Sequence, residues 1–225
     1  MRVADNKTII DEKINAACQK SGRNRNEITL VAVTKYVSVE RANEAIEAGL
    51  YHLGENRDEG LLNKYAVLGD KPIWHYIGSL QTRKVKNIID KVEYIHSLDR
   101  ISLAEEIEKR ATKPIKCLVQ VNVSGEESKQ GITPLETLSF IRNLESFSNI
   151  QIAGLMTMAP LTEDENKLRA CFKKLKELQK EVQAANMTHA PCMELSMGMS
   201  NDYTIAIEEG ATMIRIGTAL VGGES

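Results

Sequence analysis

Short β-branched apolar runs alternate with longer segments in which apolar residues recur every three or four positions, and the alternation persists along the chain. Eight short runs read as strands, over residues 29–34, 51–54, 73–77, 92–96, 115–123, 150–156, 193–196 and 212–217. The clearest helical segment spans 165–185, where Leu168, Cys171, Phe172, Leu175, Leu178 and Val182 form one face. Lys173, Lys174, Lys176, Glu177 and Lys180 fill the other, the signature of a helix lying on a sheet with a solvated charged side. Thr133-Pro134 marks a helix start and Gly210 a helix stop, and an extra helix over 5–20 precedes the first strand.

Alternating strands and helices require a parallel sheet, because a parallel crossover needs the long connection that a helix supplies. Eight such units fit a closed (β/α)₈ TIM barrel, an α/β fold formed as one domain over residues 1–225. The open doubly wound alternative lacks its two phosphate signatures, GxGxxG after the first strand and GxxxxGK[ST] anywhere. No linker rich in Pro, Gly or Ser interrupts the pattern.

Composition narrows the function classes. The 225 residues are 42% hydrophobic and 27% charged, and 29 Lys+Arg against 31 Asp+Glu leave a net charge of −2. A folded chain with no strong positive field is expected, with small-molecule rather than nucleic-acid partners. Asp5, Asp11 and Glu12 break any export signal, so a cytoplasmic location is expected. The longest nearly apolar stretch, 152–161, is about half of the ~20 residues a bilayer span needs, so no membrane association is expected. Cys18, Cys117, Cys171 and Cys192 form no CxxC and read as reduced, buried thiols rather than metal ligands or disulfides.

In such a barrel the chemistry lies where the strands end. The first strand runs into Lys35, either a surface lysine or, if partly desolvated, an amine able to form a Schiff base with a carbonyl. The seventh runs into Ser196-Met197-Gly198-Met199-Ser200-Asn201-Asp202, with Ser200 expected to open a helix whose free N–H groups favour an anion. The eighth ends Arg215-Ile216-Gly217-Thr218, and the loops after strands seven and eight commonly hold a phosphate. A lysine, a phosphate cradle and an arginine suit pyridoxal 5′-phosphate (PLP), with Arg215 as the polar partner of its pyridine nitrogen. A phosphosugar enzyme using Lys35 alone needs only the first two.

Val31-Ala32-Val33-Thr34-Lys35, Gly54-Glu55-Asn56, His75 through Gln81, Ile95 through Asp99, Gly154-Leu155-Met156, Ser196 through Ser200 and Arg215 through Thr218 resemble the YggS/PROSC family of PLP homeostasis proteins, in order and over nearly the whole chain. That family in turn resembles the N-terminal barrel of alanine racemase. The resemblance implies that Lys35 holds PLP as an internal aldimine, and that Ser200, Gly217 and Thr218 hold the phosphate in a loop shaped by Gly198 and Met199. It also implies that Arg215 faces the pyridine nitrogen and that Asn56 sits beside the cofactor, with His75, Ser97, Asn122 and Met156 in a second rank lining the mouth. The chain departs from the family pattern at the rim, where Arg57 follows Asn56 and Thr82-Arg83 follow Gln81.

An arginine cannot protonate-exchange with the ring as an acid would, so the ring nitrogen stays neutral and carbanion chemistry is restrained. The expected function is intracellular storage, buffering or delivery of PLP, with PLP-requiring apo-enzymes as recipients and no dedicated turnover. The alternative is a PLP-dependent amino-acid racemase, which in the resembled enzyme needs a second, β domain and a tyrosine base. The chain ends at Ser225, seven residues after Thr218, so that domain is expected to be absent and the protein monomeric. Tyr36 and Tyr203 are the tyrosines considered in its place.

Overall fold

Every one of the eight apolar runs forms a strand, and all pair in parallel. The computed structural model describes residues 2–126 and 129–222, so the expected domain limits at 1 and 225 lie outside the described residues. The strands are β1 (Thr29–Val33), β2 (His52–Glu55), β3 (Ile73–Tyr76), β4 (Tyr94–Leu98), β5 (Ile115–Gln120), β6 (Ile150–Met156), β7 (Glu194–Ser196) and β8 (Met213–Ile216). They form a closed barrel in chain order, and β8 returns to β1 with Arg215 opposite Val31 and Ile216 opposite Ala32.

The outer layer holds α1 (Val3–Ser21), α2 (Val39–Glu47), α3 (Asp58–Leu68), α4 (Val85–Ile88), α5 (Ile101–Arg110), α6 (Pro134–Arg142), α7 (Glu165–Ala184), α8 (Tyr203–Glu208) and α9 (Thr218–Val221). α6 starts with a capping box: the Thr133 hydroxyl accepts from the Glu136 N–H, and the Glu136 carboxylate accepts from the Thr133 N–H. α7 buries the stripe read from sequence, Leu168, Cys171, Phe172, Leu175, Leu178 and Val182. The leading helix α1 covers the seam where the barrel closes, with Asn6 Nδ2 donating to the Leu220 carbonyl at 2.8 Å.

Only β6 has the expected limits; the other strands differ by one to three residues at one or both ends, most at β5, which ends at Gln120 rather than Val123, and two of the shifts have local reasons. The fourth strand begins at Tyr94 rather than Val92, because the Val92 N–H still closes a turn on the Ile88 carbonyl at the end of α4. The second extends to Glu55, whose side chain is buried by bonds from other elements.

The core divides into two shells. A large apolar shell between sheet and helices contains the outward residues Ala32, Leu53, Ile95, Val119, Leu155, Leu195, Ile214 and Ile216. A second cluster, Tyr94, Leu118, Ala153, Met156 and Met213, fills the barrel itself. Cys18, Cys117, Cys171 and Cys192 are free and buried, and burial pushes the Cys117 and Cys192 thiols up to about 12. Among the described residues no helix is long and apolar enough to cross a membrane.

Candidate functional site

Closure of the barrel brings distant sequence segments to one rim. β1 pairs with both β2 and β8, and β8 pairs with β7. The loop after β7 (Met199, Ser200), the end of β8 (Gly217, Thr218), the residue after β1 (Lys35) and the residue after β2 (Asn56) are therefore consecutive around the mouth. Lys35 is exposed, and its amine makes no salt bridge or hydrogen bond among the described residues. Its Nζ lies 5.6 Å from the centre of the Tyr36 ring.

The lysine stands on a buried ionic support. Thr34 donates its hydroxyl to Glu55 Oε1 at 2.6 Å, and Lys64 Nζ of α3 lies 3.0 Å from the same oxygen. Glu55 and Lys64 are 1% and 5% exposed. This ties the end of β1 to the end of β2 immediately below Lys35 and Asn56. Tyr36 adopts φ 65°, a left-handed conformation that costs a non-glycine residue about 1–2 kcal/mol. It stacks with Arg57, whose Cζ lies 5.5 Å from the ring, and a hydrogen bond with Asn56 and the Arg57 charge draw its phenol below the usual range. The departure at Arg57 thus has a partner within the mouth.

The loop after β7 is built differently from the sequence expectation. Ser200 does not cap a helix; α8 starts at Tyr203, and the Asp202 carboxylate turns back to accept the Met199 N–H at 2.6 Å. A hydroxyl three residues before the first helical turn cannot reach its N–H groups, and the acid nearer to it takes the loop amide instead. Gly198 at φ +93° passes so close to α8 that an added Cβ would lie 2.6 Å from Ala206 Cβ and 2.9 Å from Tyr203 Cα. Its carbonyl accepts the Arg215 N–H at 3.0 Å, fastening the loop to β8. At Gly217 the atoms nearest to an added Cβ are those of Val33, at 3.5–3.8 Å, an ordinary contact distance.

Arg215 lies inside the barrel, 5% exposed. Its guanidinium donates through Nη1 to the Ser196 hydroxyl and through Nη2 to the Thr157 carbonyl at 3.0 Å. Burial lowers its pKa to about 10, with Asp202 opposing, so it stays protonated at neutral pH. The same burial raises the Asp202 carboxyl above its ordinary range.

Three of the second-rank residues are buried rather than lining the mouth, whereas Asn122 lies partly exposed in the loop after β5. His75 is wholly buried and bonded to two other histidines inside the barrel. Met156 belongs to the interior apolar cluster. Ser97 is buried in β4 with no partner for its hydroxyl among the described residues. Asn122 organises its own loop, donating to the Glu126 and Lys129 carbonyls and accepting from the Gly125 N–H. Tyr203 is buried on α8, whereas Tyr36 is at the rim. Sequence reasoning missed Thr34, Glu55, Lys64, Ser196 and Asp202. All but Lys64 lay within quoted stretches, where nothing local marks the partners that the fold gives them.

The parallel barrel belongs to the family of the alanine racemase N-terminal domain, whose model matches residues 10–225. Within it, the chain belongs to the family of pyridoxal phosphate homeostasis proteins. The Aquifex aeolicus protein of that name is 44% identical over 215 residues, covering 94% of this chain and 93% of its own. The structure of PipY from Synechococcus elongatus PCC7942 with PLP bound has 32% identity and a TM-score of 0.82, covering 95% of this chain and 100% of PipY. Alanine racemase of Clostridium difficile 630 shares the fold with a TM-score of 0.78 at 14% identity, and the match covers 97% of this chain but 56% of the racemase.

Proposed function

We propose that this protein binds PLP covalently through Lys35 and serves PLP homeostasis by storing, buffering or delivering the cofactor, without dedicated turnover. The observation that carries the reading is the rim: a lysine amine with no ionic partner among the described residues, flanked by Asn56 on one side and the Gly217–Thr218 and Met199–Ser200 turns on the other, above a buried arginine. Ser200, Gly217 and Thr218 are assigned to the phosphate, with Met199 shaping their loop. Arg215 is assigned to the pyridine nitrogen and Asn56 to the cofactor's flank. When bound, the cofactor supplies an aldehyde for an amine and a ring that withdraws electrons. A guanidinium that keeps its proton donates to the ring nitrogen without protonating it, which leaves the ring a weak electron sink. PLP-requiring apo-enzymes are the proposed recipients, and the proposed form is a cytoplasmic monomer.

The test compares the purified wild type with Lys35→Ala. The wild type should be yellow or turn yellow with added PLP, and borohydride should fix the cofactor's mass on a peptide containing Lys35. A wild type that stays colourless and takes up no PLP overturns the cofactor assignment. Ser200→Ala and Thr218→Ala should lose PLP faster on dialysis while still allowing borohydride fixation; equal retention removes the phosphate assignment. Sustained inversion of D- or L-amino acids at an enzyme-like rate would overturn the carrier reading in favour of a racemase.

A further inference from the structure

The interior of a parallel barrel is ordinarily filled by branched apolar side chains. Here the apolar filling is crossed by a file of hydrogen bonds that packing does not require. His52 Nδ1 lies 2.9 Å from His75 Nε2, and His75 Nδ1 lies 2.9 Å from His96 Nε2. His96 Nδ1 lies 2.9 Å from Ser196 Oγ, the hydroxyl to which Arg215 donates. His75, His96 and Ser196 are fully buried, while His52, at the start of β2, is half-buried. The file therefore runs from the barrel floor through β3, β4 and β7 to Arg215 on β8.

Its direction is set at the arginine end. A guanidinium only donates, so Ser196 Oγ accepts from Arg215. The serine's own proton has His96 Nδ1 as its acceptor, which leaves that nitrogen bare and places the single proton of a neutral imidazole on Nε2. His96 Nε2–H then donates to His75 Nδ1, and by the same step His75 Nε2–H donates to His52 Nδ1. Each donor meets one acceptor and no ring carries charge. A proton added at His52 Nδ1 would set two donors face to face, and the file could accommodate it only by reversing throughout. Reversal brings His96 Nδ1–H onto Ser196 and strands the serine's proton without an acceptor.

We propose that Ser196, His96, His75 and His52 form a one-way positioning file that holds the Arg215 guanidinium at the cofactor's ring nitrogen and couples that hold to protonation of the barrel floor. The coupling to a ring nitrogen rests on the PLP reading above; the direction of the file does not. The surroundings act in the same sense. His75 stacks on Tyr94 of β4 at 4.5 Å, and Lys116 of β5 lies over the other end of that site, 5.0 Å from the Tyr94 ring and 3.1 Å from Glu93. Burial first, and the Lys116 charge second, disfavour a charged His52, with Glu194 of β7 acting on Tyr94 beside them. At the far end burial and Arg215 keep His96 neutral, and Asp202 faces Arg215.

The decisive measurement is histidine-ring ¹⁵N–¹H correlation spectra of the protein before PLP is added. His52, His75 and His96 should all be neutral Nε2–H tautomers at about pH 7.5. Ser196→Ala removes the group that fixes the direction, so the proton affinity of His52, two rings away, should rise about tenfold, and Ser196→Thr should restore it. A serine that merely packs would leave that distant titration unmoved. Nδ1–H at His75 or His96 in the wild type overturns the file, as does a folded Ser196→Ala variant in which His52 titrates as in the wild type. The wild-type tautomers stand as a test even if that variant fails to fold. These readouts are independent of whether Lys35 takes PLP. In PLP-loaded protein, Ser196→Ala should shift the pH profile of the visible band, and an unshifted profile overturns the coupling to the cofactor.

Discussion

Replacing Lys64 by methionine tests the buried pair beneath the candidate lysine. The change keeps the length of the side chain but removes the cation 3.0 Å from Glu55 Oε1, leaving a carboxylate that is 1% exposed with the Thr34 hydroxyl as its remaining close partner. Breaking a buried pair on one side costs about 3–5 kcal/mol, because the surviving charge is neither solvated nor neutralised. At roughly 2–4 °C per kcal/mol for a chain of this length, the melting temperature should fall by about 10 °C. Glu55→Gln/Lys64→Met removes both charges while the amide oxygen still accepts from Thr34. Well-packed neutral replacements of ion pairs are often near neutral in stability, so the double variant should recover more than half of the loss, a coupling of about 2 kcal/mol or more. Urea and thermal unfolding at neutral pH supply the numbers, with PLP uptake as a second readout because Thr34 directly precedes Lys35. A Lys64→Met cost below about 1 kcal/mol, or a double variant as unstable as the sum of its singles, would refute the reasoning.

Acid should destabilise the protein earlier than carboxylate protonation alone would. His75 and His96 are held well below their ordinary 6.5 by burial, so the unfolded chain binds more protons and stability falls as pH drops below about 6.5. Two such groups remove roughly 2 kcal/mol between about pH 6.5 and 5.5; urea midpoints that stay flat over that interval would contradict the neutral burial of both rings. Gly198→Ala should lose about 2–4 kcal/mol, combining left-handed strain with overpacking against Ala206 and Tyr203. An unchanged unfolding midpoint in that variant would show that the loop after β7 is free to move away from α8. The native protein should react slowly with a thiol reagent such as dithiobis-nitrobenzoate and expose its four thiols only in denaturant, because all are buried; a rapid native reaction at any of them would place that cysteine at an opening.

The barrel was legible because its signals are local. Eight β-branched runs, each followed by a helical period, require parallel pairing, and Thr133-Pro134 states a helix start in two residues. Strand ends then made a shortlist from which Lys35, Ser200, Arg215, Gly217 and Thr218 came, while Asn56 came from the family resemblance. The shortlist failed where a residue's neighbours are far away in sequence. Ser200 resembled a cap until Asp202 took the loop amide, and His75 resembled a mouth residue although its ring points into the barrel towards His52 and His96. Strand alternation gives each residue a side, but not the depth at which that side is cut by solvent.

By itself the sequence determined the closed parallel barrel, the order of its elements, and the chemical types available at its strand ends, because periodicity and turn chemistry act within a few residues. Tertiary structure alone decided which of those groups are paired and which are left free. Closure puts β8 beside β1, leaves the Lys35 amine without an ionic partner among the described residues above the Glu55–Lys64 pair, and aligns three histidines with Ser196 and Arg215. The bonds of the histidine file join residues 19 to 100 positions apart. Their energies depend on burial and angle, which exist only once the barrel has closed.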